Sequence, residues 1–560
     1  MADSNERDYF ERRRTAMIAE RSSFIAHYRE LSDYVQPRRG RFFISDRNKG
    51  DRRSQSIINS KATQALRIAR SGLLAGVMSP ARPWFGLETP DPDLMEFQPV
   101  KIWLHKAEIL IRAIFNGGNL YNMAPVMLGE TLLFGTGVML HVDDYEDVAR
   151  FYTLTAGSYM IGQNERLSVT TLVREYEATV EQLVSQFGLD NVSKTVKDLY
   201  DKGSLDSWIP CVHFVDENPD FKKTSKLSKE KRFRSVYYEP GSADKNKFLS
   251  KAGYDEFPAY CPRWDVTGED IYGTDCPGMT ALGDVKALQL EEKRKAQAID
   301  KMVDPPLKGP SSLRNVMVST LPGGLTIYDG DSTREGLQSI YTVNPQIQEL
   351  MMDIQAVERR IDTAFYADLF MAISSMAGIQ PKNQLELSHR DAERLLQLGP
   401  VLERLHGEFL DPLINRTFNQ CIRADLLPEP PKELQGQTLK VKYISTLAMA
   451  QRSVAAGGIE RLAGFVGSLA GAGFPEVVDK FDADQAVDEY SSVIGVPPRV
   501  TRSDEVVEEI REARAQAQQA QQTLEAGQTV SQTVKNLGDA VAGEGSALKG
   551  LADATGSGDA

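Results

Sequence analysis

Cysteine is scarce and badly spaced for chemistry. The four in this chain of 560 residues, Cys211, Cys261, Cys276 and Cys421, include no CxxC pair. That excludes a zinc ribbon or dithiol centre built on that motif and leaves buried free thiols in a reducing compartment as the expectation. No run of about 18 apolar residues occurs, so no helix is expected to span a bilayer. The opening stretch, MADSNERDYFERRR, is charged from the outset and lacks the apolar centre of a secretory signal. Also missing are a phosphate loop of the form GxxxxGKS or GxxxxGKT, an HExxH pair and a GxSxG elbow. GTGVML at 135–140 has neither the third glycine nor the acidic partner of a dinucleotide site. His27, His105, His213, His389 and His406 stand alone, without a local base and nucleophile. In HVDD, His141 and Asp143 would share one strand face, but two ligands do not complete a divalent site, and a rim histidine beside turn carboxylates is the plainer reading. No catalysis, cofactor or metal is expected.

What is present is core material. The chain is 41% hydrophobic and 26% charged, the composition of a folded globular protein, and long enough for several domains or one elongated subunit. A net charge of -13 argues against gripping nucleic acid through many phosphates, though not against a surface that nucleic acid slides past. The first 53 residues run the other way, with 13 Lys+Arg against 9 Asp+Glu. They form a basic arm, read as a solvated helix face with alternating salt pairs.

Apolar spacing predicts a helix over 5–35 stopped by Pro37, and a second from about residue 60 whose Ala62, Ala65, Leu66, Ala69, Leu73, Gly76 and Val77 share one face. Small residues there let another backbone approach closely. Pro80 and Pro83 then stop the helix before the apolar pair Trp84-Phe85. Helices are also predicted over 99–115 and within 121–138, the latter broken by Gly129, Gly135 and Gly137. Between 138 and 264, alternating Val, Tyr, Phe and Thr predict strands, interrupted by one helix near 170–200. Two long amphipathic helices follow, 280–303 and 346–372, joined by about 40 Gly, Pro and Ser-rich residues. Each has only a narrow apolar stripe, best satisfied against copies of itself. A loop at 373–388, a long helix to about 423, a strand at 439–444 and helices over 446–470, 476–494 and 504–525 complete the pattern, with an alanine seam in the last and a disordered tail at 541–560.

YVQPRRGRF at 34–42, INSKATQALRIARSGLLAGVMSPARPWFGLE at 58–88, LLFGTGVM at 132–139, LGPVLERLHGEFLDPLINRTF at 398–418 and LKVKYISTLAMAQR at 439–452 occur in an order that resembles the head-to-tail connecting, or portal, proteins of short-tailed bacteriophages. The resemblance covers about residues 5–500. It implies an α+β, mainly helical fold and a ring of twelve subunits at one capsid vertex, with a channel for packaging and ejecting double-stranded DNA. Carried onto this sequence, it places a wing and body at 1–279, stem helices at 280–303 and 346–372, a clip at 304–345, and a tunnel loop at 373–388. A long wing helix and return strand fall at 389–444, and a crown with a possible barrel helix at 445–540. The implied partners are a packaging ATPase (terminase), which would supply the energy, a tail adaptor, and major capsid and scaffolding proteins. Lys382, Asn383 and Gln384 become candidates for the DNA channel, Lys308, Arg314, Leu321 and Pro322 for clip docking, and Gly72, Gly76, Pro80, Trp84 and Phe85 for structural anchors. Two other readings stay open: another virion structural protein such as a tail adaptor, and a hydrolase built from dispersed carboxylates.

Overall fold

The computed structural model describes residues 6–46, 50–81, 83–91, 94, 97–225, 227–244, 247–304, 307–308, 338–339, 347–375, 398–434, 440–443, 459, 461–494 and 506–519. In chain order the elements are α1 (Glu6–Val35), α2 (Lys61–Val77), β1 (Phe85–Glu88), α3 (Gln98–Gly117), α4 (Leu120–Phe134), β2 (Val138–Asp144), β3 (Val148–Leu154), β4 (Tyr159–Gln163) and β5 (Val169–Thr179). Then come α5 (Val180–Phe187), α6 (Lys194–Asp201), β6 (Trp208–Glu217), β7 (Phe233–Tyr238), β8 (Ser250–Tyr254), β9 (Ala259–Tyr260), α7 (Pro277–Val303), β10 (Leu307–Lys308) and β11 (Gln338–Ser339). The last are α8 (Ile347–Ala364), α9 (Ala367–Ser375), α10 (Gly399–Leu405), α11 (Asp411–Arg423), β12 (Lys440–Tyr443) and α12 (Ala483–Ile494). This is a mixed α+β fold of many helices and small antiparallel sheets.

The chain forms two compact units. The larger comprises residues 1–88, 106–429 and 439–464; the smaller comprises 89–105, 430–438 and 465–560. In the smaller unit α12 is held to the helical run 506–519 by a two-pronged ion pair, Arg511 to Asp484 at 2.6 and 2.8 Å.

The larger unit is built on a five-stranded antiparallel sheet, order β4-β5-β6-β7-β8, and a three-stranded sheet, order β3-β2-β9. One buried cluster joins them: Val138 and Leu140 of β2 and Leu154 of β3 pack with Ile161, Leu172, Val215 and Phe233 of the larger sheet. α1 lies on that sheet through Phe10, which packs with Val173, Val212, Phe214 and Val236. Its arginines correct the expectation of a solvated face. Arg7 donates to the carbonyls of Glu239 and Asp244, Arg14 pairs with Glu175 at 2.7 Å, and Arg21 donates to the carbonyls of Gly157 and Tyr159. Three arginines of the basic arm thus fasten α1 to the sheet, while Arg12 and Arg13 stay exposed.

Other expectations also change. The helix near 170–200 is a strand as far as Thr179, because the β-branched run VTTLV pairs on both sides with β4 and β6. Helix begins only at Val180, where Thr179 and Gln182 form a reciprocal capping box. α4 runs through Gly129 unbroken and ends at Gly135, whose φ of 79° is the left-handed stop that glycine adopts without strain. The helix expected over 346–372 is two, since Tyr366 sits at φ 55° between α8 and α9. His141 is not at a rim. It is fully buried, bonded through Nδ1 to the Tyr260 hydroxyl, while Asp143 receives Arg416 and Gln420.

His213 is equally buried, 2.9 Å from Ser235 Oγ and stacked on Tyr237 at 3.9 Å. Burial, then the nearby Arg174, pushes its pKa down to about 3 from 6.5. Burial, then Arg416, also holds His141 well below its usual range. Both imidazoles are therefore neutral when folded, and the unfolded chain takes up protons first. For His213 the stability this permits is complete above pH 6.5 and drains as pH falls towards 3, at roughly 1 kcal/mol per pH unit; His141 acts in the same direction. Urea unfolding at pH 7 and pH 5 should register the loss, and His213→Gln should flatten the difference; an unchanged profile in that variant would contradict this origin.

Candidate functional site

The two long helices and their root in the larger unit make the most distinctive arrangement. α7 opens with Pro277 at its first turn, where the missing amide proton costs nothing, and runs 27 residues, about 40 Å at 1.5 Å per residue. α8 packs along it in the opposite direction: Arg360 pairs with Asp284 at 3.0 Å, and Asp353 lies near Glu291. At the far end the hairpin continues into β10 and β11, with Leu307 opposite Ser339 and Lys308 opposite Gln338.

Burial divides the hairpin into a root and a free span. At the root, α7 buries Ala281, Leu282, Val285, Leu288 and Gln289, and α8 buries Ile354, Val357 and Ile361. Beyond Gln289 no residue of α7 is buried. Leu290, Ile299, Met302 and Val303 of α7, with Met351 and Met352 of α8, are exposed, reaching 80% at Val303 and 70% at Met352.

A polar clamp closes the root. Gln289 Oε1 accepts from the backbone amides of Ile58 at 2.6 Å and Asn59 at 2.8 Å, and its Nε2 donates to the Asn59 carbonyl at 2.9 Å. Asn59 Nδ2 in turn donates to Glu292 of α7 at 3.2 Å and Glu358 of α8 at 2.9 Å. Lys61, at the start of α2, pairs with Asp362 at 2.5 Å, and Lys286 reaches Glu30 of α1 at 2.9 Å. The INSK block thus ties both helices to the larger unit. Gln289→Ala leaves two amides without that acceptor, an expected cost of roughly 1–3 kcal/mol. Faster hydrogen exchange at Ile58 and Asn59 than at α1 amides would locate the loss at the clamp.

α2 is the strut behind this root. Its buried face is Ala62, Ala65, Leu66, Ala69, Leu73 and Val77. Gly72, half-buried, meets α9 so closely that a Cβ there would lie 2.3 Å from Phe370 Cγ. Gly76 is half-buried on the same helix, and Pro80 is exposed beyond its end. Trp84 and Phe85 are buried, their rings 4.7 Å apart and both against Phe115, with Trp84 Nε1 donating to the Tyr121 hydroxyl at 3.0 Å. From Phe85, β1 pairs antiparallel with β12, so that PWFGLE meets LKVKYI along Phe85–Tyr443 to Glu88–Lys440.

Lys308 is exposed in β10. Arg314, Leu321, Pro322, Lys382, Asn383 and Gln384 lie outside the described residues. Among the described candidates, Gly72 and Gly76 lie on α2, with Gly72 against Phe370, while Trp84 and Phe85 pack against Phe115 and Lys308 stands apart in β10. Sequence reasoning missed Gln289, Asn59 and the Lys61–Asp362 pair. A signal was available for one of them: Gln289 falls four residues after Val285 and next to Leu288, a polar group on an otherwise apolar face.

Among the described residues no group of three His, Cys, Asp or Glu side chains could hold a metal ion, and no helix is long and apolar enough to cross a membrane. The four cysteines are buried free thiols, with pKa values pushed up by burial, to about 12 at Cys211 and about 11 at Cys421.

A portal protein of Salmonella phage epsilon15 is 44% identical over 537 residues, covering 96% of each chain. A probable portal protein of Bordetella phage BPP-1 is 42% identical over 523 residues, covering 93% of each. A chain from the virion of a native gene transfer agent particle aligns over 86% of this chain and 99% of its own, at 13% identity and a TM-score of 0.34, and plays no part in the assignment. Residues 7–501 match the family described as bacteriophage head to tail connecting protein. With nearly the whole length matched at this identity, the chain belongs to the head-to-tail connecting proteins, the portal proteins of tailed bacteriophages.

Proposed function

We propose that this portal protein works as one of twelve subunits in a ring at a capsid vertex of the virion, its channel passing double-stranded DNA inward during packaging and outward during ejection. α7 and α8 are the stem, the segment between them is the clip, residues 373–388 are the tunnel loop, and the helices after 445 are the crown. The clip docks the packaging ATPase and later a tail adaptor, with Lys308, Arg314, Leu321 and Pro322 as its contacts; the capsid and scaffolding proteins meet the outer body. Lys382, Asn383 and Gln384 face the duplex. No chemistry is assigned to the chain itself, and the energy for packaging comes from the separate ATPase.

One observation carries the reading: among the described residues, the free span of the stem leaves Leu290, Ile299, Met302, Val303, Met351 and Met352 exposed. Apolar surface on that scale is stabilised by about 25 cal/mol for each Å² removed from water, and neighbouring stems packed around an axis would remove it. Native mass spectrometry and negative-stain imaging of the purified full chain test this. A closed ring with a central hole is expected, and Val303→Asp with Met352→Asp should reduce its yield. A monodisperse monomer, or rings indifferent to those two charges, would overturn the arrangement.

A further inference from the structure

The basic residues of YVQPRRGRF and the loop after it are not used up by α1. They surround a pocket of about 520 Å³ lined by Arg38, Arg52, Arg53 and Arg67, with Asp51 the single carboxylate among its lining residues. A second pocket of about 500 Å³ shares Pro37, Arg52 and Arg53 with the first and adds Arg29, Phe42 and Phe43 together with two carboxylates, Asp33 and Asp46. The guanidinium groups therefore form a track. Arg53 is partly neutralised, by Asp46 at 2.9 Å and Asp51 at 3.8 Å. Arg67 and Arg70, three residues apart on α2, form no ion pair with a carboxylate among the described residues. Arg70 lies over Gly129, and burial together with the like charges of Arg39 and Arg67 lowers its pKa. The acid beside Arg39, Glu130 at 3.7 Å, is itself buried and bonded to Thr155 and the Ala156 amide.

Arg29, Arg38, Arg52, Arg53 and Arg67 outnumber Asp33, Asp46 and Asp51 along the two pockets, and crowded like charges are a cost to the folded chain that an added anion relieves. We infer that this arginine track is a nucleic-acid site, outside the stem, that takes successive phosphodiester groups of a DNA duplex. The guanidinium fork matches phosphate oxygens in pairs, and a track suits a polymer of regularly spaced charge better than a single phosphate. Phe43, 67% exposed and 5.5 Å from the Arg29 guanidinium, adds an apolar surface for a backbone sugar that an acidic peptide does not need. In a chain of net charge -13, DNA approaching the body is repelled by most of its surface and drawn to this patch.

The test uses the purified full-chain assembly and a short fluorescent DNA duplex, with affinity measured over a range of salt. The double variant Arg52→Gln/Arg67→Gln should bind about tenfold more weakly at low salt, and its slope of log affinity against log salt should fall by about 2. A control with the same charge change elsewhere, Arg166→Gln/Lys202→Gln, should bind like the parent. Equal weakening in both pairs, or in neither, overturns the site. Polyglutamate displacing the duplex as well as polyphosphate of equal charge would assign the track to an acidic protein segment instead. Inorganic phosphate binding that depends on the arginines, without any change for the duplex, would reduce it to a small-anion site. Native mass spectrometry of each variant separates this inference from the assembly reading, because an intact ring that has lost duplex binding speaks only to the track. Should the double variant fail to assemble, Arg52→Gln alone, in an exposed loop position, is measured in its place.

Discussion

Arg263→Ala is expected to lower the free energy of unfolding by roughly 3–5 kcal/mol, the cost typical of removing one partner from a buried ion pair. Arg263 is 4% exposed at its side chain, and each of its nitrogens is engaged. Nη2 meets Glu408 Oε1 at 2.5 Å and the Leu167 carbonyl at 3.0 Å, Nε meets the same carboxylate oxygen at 3.1 Å, and the backbone amide donates to Glu408 Oε2 at 2.8 Å. Nη1 reaches Gln163 Oε1 at 3.2 Å and the carbonyls of Ile271 and Asp270 at 3.3 and 3.4 Å. One side chain therefore joins β4, the turn after it, the loop leading into α7, and a π turn at His406–Leu410 between α10 and α11. Alanine would leave Glu408 with the backbone amide of residue 263 alone and deprive three carbonyls of their donor at once. Glu408→Gln, which keeps an acceptor, should cost markedly less. Chemical denaturation of the two variants measures the difference; equal small losses would mean that water replaces the guanidinium freely.

Gly72→Leu is expected to cost about 3 kcal/mol and to reduce ring yield, as overpacking of a filled contact does. The first added carbon would stand 2.3 Å from Phe370 Cγ and 2.5 Å from Phe370 Cβ. Those atoms are at the base of the ring, so no rotation of Phe370 clears them, and α9 must move away from α2. The check is a double-mutant cycle. Gly72→Ala should be clearly destabilising in the parent and nearly neutral in a Phe370→Gly background, because both the ring and its Cβ have gone. Additive effects would show that the clash is relieved elsewhere.

How much of this was legible follows from where the information lies. Periodic apolar residues and proline stops placed α1, α2 and α3 to within a few residues, because those helices bury one face and the rule behind the pattern is local. Strand β5 was misread for the same reason. Its REYEAT end is rich in good helix formers, and only pairing with β6, whose register joins Thr179 to Trp208, decides otherwise. The break at Tyr366 involves neither glycine nor proline and leaves no mark in the sequence. Arg263 and Glu408 are 145 residues apart, and ordinary charged residues are too common for such a pair to be chosen without coordinates. Gln289 was within reach of pattern reasoning, whereas its partners, backbone groups at Ile58 and Asn59, were not.

Tyr366 carries one more consequence. An uninterrupted helix from 347 to 375 would be a rod of about 44 Å, and any thrust at its tip would arrive undiminished at its other end. The left-handed residue makes a knuckle instead, seated beside Trp264 with ring centres 6.1 Å apart. In the proposed stem, axial load would be handed sideways at that joint towards Trp264, while α9 keeps its seat on Gly72.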